Sequence, residues 1–133
     1  MAYLEPVIGG IAAFALGFLW YTALFGKAWQ AETGITEEEA SKDMARTHGL
    51  SLLMMIVISY AINMIINYHE PADQTFVHGG FHGIMAGLFY AAPAVAIGYL
   101  YQRKSLKLFL IDATYIVLFM GLSGGVMAAL SLG

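Results

Sequence analysis

Residues 7–26, Val7 to Gly26, read VIGGIAAFALGFLWYTALFG, a run that contains no charged side chain. At about 1.5 Å of rise per residue, a helix of this length reaches roughly 30 Å, the thickness of a bilayer's hydrocarbon core. The run is longer than the apolar part of a cleaved signal peptide and has no basic start. Outward from it, three more runs share its character. Gly49 to Tyr68 is uncharged and closes at His69, Glu70 and Pro71, where the proline ends a helix. Gly79 to Tyr101 stops at Gln102, Arg103 and Lys104, and Leu108 to Leu132 carries one charge, Asp112. None alternates apolar and polar residues as a barrel strand does, and helices or closed barrels are the backbones that lipid tolerates. The expected fold is an all-α membrane protein. Its single domain, residues 1–133, should hold four transmembrane helices over about 7–26, 49–68, 79–101 and 108–132, with a short helix between the first two.

Composition agrees. The chain of 133 residues is 59% hydrophobic and 11% charged, where soluble domains average about 45–50% apolar and about 25% charged. Four spans leave no room for a second, soluble domain. The net charge of −3 and six scattered basic residues give no footprint for nucleic acid. The absence of cysteine excludes disulfides, thiol catalysis and thiolate metal sites.

The basic residues set the orientation. Lys27, Lys42 and Arg46 lie between the first two spans, and Arg103, Lys104 and Lys107 between the last two. Positive residues are retained in the cytoplasm, so loops 27–48 and 102–107 are expected there and both termini outside, in a multi-pass protein of the plasma membrane. In the first loop, Thr36 and Glu39 form a capping box that predicts a helix from Glu37 to about Thr47.

Small residues recur four apart: Gly9, Ala13 and Gly17; Gly79, Gly83 and Gly87; Gly121, Gly125 and Ala129. Such stripes let helices approach closely in lipid, and three of them leave one for a symmetric partner, so a homo-oligomer is expected. Gly10, Gly17 and Trp20 also align with Gly80, Gly87 and Tyr90 at a constant offset, as a two-helix repeat would.

Several residues are candidates for chemistry. Asp112 is the acid expected within a span, either as a proton or cation site or as an anchor paired with Lys107, Arg103 or Lys27. Ser51, Ser59, Asn63 and Asn67 form a polar track on the second span, suited to a ligand or to holding neighbouring helices. Pro93 should kink the third span. His78 and His82, four apart on one face, have the spacing to share a divalent metal, with Glu70, Asp73 and His69 close by in sequence to complete the set. Otherwise they are interfacial histidines that only hydrogen-bond. No serine, threonine or lysine has the surroundings of an activated nucleophile, so no catalytic residue is assigned.

Two stretches carry a family resemblance. Gly17 to Tyr21, continuing through Phe25, Gly26, Lys27, Ala28 and Trp29 to Gly34–Glu38, and Ser105 to Tyr115, are similar to the family called domain of unknown function 1761, small bacterial four-helix membrane proteins. The family pattern often has glycine where Thr114 stands. The resemblance implies the fold and a membrane location but no activity. It places weight on Trp20, Tyr21, Lys27, Trp29, Asp112 and Tyr115. The expected function is binding or transport of a small solute or ion by a small oligomer, with Asp112, Asn63, Asn67, Ser59, Tyr115 and Trp20 as ligand candidates. The alternatives are a structural or assembly subunit, and a metal-dependent membrane enzyme built on the histidines.

Overall fold

The computed structural model describes residues 4–130, in which every regular element is helical. The first span joins α1 (Leu4–Leu19) to a π turn, Trp20–Leu24. Two short helices follow, α2 (Gly26–Thr33) and α3 (Glu37–Ser41), then α4 (Met44–Ile66) and a single 3₁₀ turn, Pro71–Asp73. The third span is α5 (Phe76–Ala86), a π turn (Gly87–Ala91) and α6 (Ala92–Tyr101), and α7 (Leu106–Leu130) is the fourth. All four spans are long and apolar enough to cross a membrane. Their outward faces expose large apolar side chains such as Phe18, Leu53, Phe81, Phe89 and Leu100, a surface that suits lipid and that water would drive to aggregate. The chain is an all-α membrane protein with four transmembrane helices.

Each span begins a few residues before its apolar run, and in the third and fourth a polar side chain satisfies a free amide of the first turn. Thr75 Oγ1 accepts from the His78 amide at 3.2 Å, and Ser105 Oγ from the Leu108 amide at 3.0 Å. The expected end of the fourth span at Leu132, and both termini, lie outside the described residues. In the first loop Thr36 caps its helix as expected, accepting from the Glu39 amide at 3.1 Å. The helix does not continue to Thr47. It stops at Ser41, Asp43 takes a left-handed conformation (φ 52°), and α4 starts afresh at Met44. A further helix in this loop, α2, ends at the left-handed Gly34 (φ 72°), an ordinary glycine stop signal.

The core is organised around α7, of whose most apolar stretch 56% is buried, against 22%, 22% and 17% in the other spans. Its glycines make this possible. Gly124 abuts the Gly79 carbonyl, a Cβ on Gly83 would collide with the Met120 carbonyl, and one on Gly9 would lie 2.6 Å from Ser123 Oγ. The small-residue stripes therefore close α1 and α5 onto α7 within one chain. The two halves are not packed alike, since Trp20 is buried while Tyr90, its counterpart in the apparent repeat, is exposed. Pro93 sits at the start of α6, and the π turn before it redirects the Ala92 amide to the Gly87 carbonyl, five residues back.

Candidate metal centre

The connection between α4 and α5 folds back on itself. The His69 amide donates to the Ile66 carbonyl at 3.0 Å, and Gln74 Nε2 donates to the His69 carbonyl at 3.0 Å. Pro71 opens the 3₁₀ turn that brings the chain round to Thr75, the cap of α5. His69 thereby lies against the first two turns of α5, which carry His78 and His82. His82 Nε2 is 2.9 Å from His78 Nε2 and 3.1 Å from His69 Nε2. The ring centroids are 4.5–4.8 Å apart, and one ligand atom from each histidine lies within 4.8 Å of the others.

Hydrogen bonds alone satisfy this cluster poorly. An imidazole nitrogen carries either one proton or one lone pair, so His82 Nε2 cannot form two good linear bonds. His69 Nδ1 is 3.1 Å from the Ile65 carbonyl, which only accepts, so Nδ1 carries a proton, and the neutral tautomer compatible with this contact has its lone pair on Nε2. A backbone carbonyl in this position is the usual support of a metal-bound histidine. Around a tetrahedral zinc with bonds of about 2.0–2.1 Å, ligand nitrogens stand roughly 3.3 Å apart. The two short contacts need to open by only a few tenths of an ångström to reach that spacing.

The gathered set differs from the one that spacing singled out. His78 and His82 meet as expected, His69 takes the third place, and Asp73 borders the recess with Gln74, Ile66 and Gly79. Glu70 is exposed and is not among the clustered donors.

The other candidates, apart from Asn67, have hydrogen-bond partners on neighbouring helices. Asp112 is buried and is not paired with a cation. Tyr21 Oη donates to its Oδ1 at 2.6 Å and Tyr99 Oη donates to Oδ2, while Lys107 reaches Glu32 at 4.0 Å. The partners of Asp112 are therefore tyrosines and not the expected Lys107, Arg103 or Lys27, and the π turn of the first span presents both Trp20 and Tyr21 to α7. Trp20 Nε1 donates to the Ile111 carbonyl at 3.1 Å, and Tyr115 Oη donates to the Ala13 carbonyl at 2.8 Å over Gly17. Ser59 and Ser123 hydroxyls lie 2.6 Å apart, and Asn63 Nδ2 donates to Glu5 Oε2 at 3.3 Å. Asn67 is exposed at the end of α4. Ser59 meets α7 roughly 16 Å along the helix from Asp112. Glu5, near the start of the chain, is a buried acid that the sequence reading did not place in a span.

This arrangement predicts how Asp112 variants behave. Asp112→Leu leaves two half-buried phenols without their acceptor, at about 1–2 kcal/mol each. Asp112→Asn keeps one acceptor oxygen and is expected to cost about 1 kcal/mol. Lys107→Gln should change stability by under about 0.5 kcal/mol, since its ion pair is exposed. Unfolding in detergent checks the series, and a loss on Lys107→Gln as large as that on Asp112→Leu would restore the cation as the partner.

A family model described as "Protein of unknown function (DUF1761)" matches residues 4–128. No curated protein and no solved structure matches the chain.

Proposed function

We propose, for a chain that belongs to the DUF1761 family, an ion-binding role in which the ion is a divalent transition metal held by His69, His78 and His82. The observation that carries this reading is that His82 Nε2 lies 2.9 Å from His78 Nε2 and 3.1 Å from His69 Nε2, with a ligand atom of each histidine within 4.8 Å of the others. An all-imidazole set suits zinc, copper(II) or nickel(II), and disfavours magnesium and calcium, which take oxygen ligands. Three protein ligands leave a fourth position for water or for Asp73, which borders the recess.

Of the two parts of the expected function, binding and carriage of an ion, the geometry supports binding. Ser59 and Asn63 have Ser123 and Glu5 as partners, and Asp112 has two tyrosines. The metal set is complete within one chain, so the proposal does not depend on self-association. Its sidedness rests on the basic residues: if loops 27–48 and 102–107 face the cytoplasm of a bacterial cell, the histidines face the outer side of the plasma membrane. The open fourth position also keeps a metal-dependent reaction within the proposal, with water as the bound species.

Protein purified without an affinity tag and without chelator should carry close to one equivalent of zinc or copper per chain by elemental analysis. The His78→Ala protein should carry none. Absence of metal, together with no uptake of added Zn²⁺ by folded protein, would overturn the proposal.

A further inference from the structure

A separate feature lies at the opposite, basic end of the bundle. Between α2 and the first turns of α7 is a cavity of about 320 Å³ whose walls include Trp20, Phe25, Ala28, Leu110 and Ile111, with Lys107 as the charged residue among those that line it. Leu110 is half exposed, and Thr114, which also lines the space, is exposed, so the cavity opens sideways from the bundle. A space so apolar offers water few partners. On the flank of a transmembrane helix, its natural filling is a hydrocarbon chain, which gains the dispersion contacts the walls lack.

Lys107 adds chemical selectivity. It is the second residue of α7, at the very end of the fourth span, where a membrane's headgroups begin. It lines the cavity, and 66% of its side chain is exposed. Its ion pair with Glu32 is long, at 4.0 Å, and the second oxygen of that carboxylate is engaged by Ser105 Oγ at 2.6 Å. The ammonium therefore keeps donors for an anion. Lys27, next to the lining residue Ala28, is exposed at the same end of the bundle.

We propose that this cavity is a binding site for an anionic phospholipid of the surrounding bilayer, with one acyl chain against Trp20 and Ile111 and the phosphate on Lys107. Basic pockets between transmembrane helices recognise lipid headgroups in this way. The site is independent of the histidine cluster, and its failure would leave the metal reading untouched.

Trp20 in the cavity wall supplies the probe. The chain has two tryptophans, so the full-length Trp29→Phe protein, checked for unchanged melting temperature, reports Trp20 alone. It would be reconstituted in vesicles containing brominated phosphatidylglycerol or brominated phosphatidylcholine. Phosphatidylglycerol is expected to quench Trp20 as a lipid bound about fivefold more tightly, the effect of one cation beside a surface phosphate. Lys107→Gln should equalise the two lipids while Lys107→Arg keeps the preference. Ala28→Leu, which fills part of the space, should weaken quenching by both. Lys104→Gln, whose ammonium sits over the Tyr99 ring at 4.6 Å, should keep the preference. Equal quenching by the two lipids, no quenching by either, or a preference that survives Lys107→Gln would each overturn the proposal. The last of these would mean general attraction to a charged surface.

Discussion

In the His82→Ala protein, stoichiometric zinc binding is expected to disappear, together with the rise in melting temperature that zinc gives the unmodified chain. His82 is the shared vertex of the cluster, with its Nε2 at 2.9 Å from His78 and 3.1 Å from His69. Removing it leaves two ligands from different segments with nothing between them. Since loss of a supporting hydrogen bond alone costs about 10–100-fold in metal affinity, loss of this ligand should exceed about 100-fold. At free zinc 1,000-fold above its Kd, the unmodified protein should gain about 4 kcal/mol, and the variant less than about 1.4 kcal/mol. His69→Gln should act in the same direction. Glu70→Gln, at a carboxylate outside the clustered donors, should leave affinity within about twofold of the original. Calorimetric titration and thermal melting in detergent check both, and a Glu70→Gln protein that loses zinc while His69→Gln retains it would reinstate the carboxylate in place of the third histidine.

Gly83→Leu should prevent the chain from folding. A Cβ at Gly83 would collide with the Met120 carbonyl and lie 2.9 Å from Gly121 Cα, both backbone atoms of α7. Neither can move aside unless α5 and α7 separate, and that seam is the centre of the bundle. The loss should pass about 4–5 kcal/mol, the range reserved for the most damaging substitutions. Gly125→Leu meets only the Phe76 ring, at 2.9–3.0 Å, on a half-exposed side chain that can swing outward. About 1–3 kcal/mol is expected there, as for ordinary overpacking. Folded yield and unfolding in detergent measure the contrast. A Gly83→Leu chain that folds normally and only changes its oligomeric mass would return the stripe to an intermolecular role.

The spans were legible because an uncharged run of bilayer length has few other physical explanations, and the four runs coincide with the four long helices to within a few residues. The loop between the first two spans was less so. Thr36 announced one cap, but the break at Asp43 depends on a single left-handed residue. At the metal centre, the i, i+4 spacing of His78 and His82 was readable. His69 was one of three candidates to complete the set, with Glu70 and Asp73, and could not be singled out, because its position depends on Pro71, Gln74 and Thr75 folding a short connection back. Asp112 shows a similar limit. Its neighbourhood in sequence offered lysine and arginine, whereas its partners are Tyr21, in the first span, and Tyr99, in the third. A tyrosine near the end of an apolar run looks the same whether it faces lipid headgroups or a buried acid, and only helix packing separates the two cases.

X-ray absorption at the zinc edge, on protein loaded with one equivalent of zinc, tests the metal centre most directly, because it counts the atoms around the ion. The expected spectrum is a four-coordinate first shell at about 2.0–2.1 Å, with the outer-shell scattering of three imidazole rings and one further oxygen or nitrogen. The imidazole signal should fall by a third in His69→Gln if zinc is retained at millimolar concentration. A shell made of oxygen alone, or one with a single imidazole, would mean that zinc sits elsewhere on the protein and that His69, His78 and His82 do not form its site.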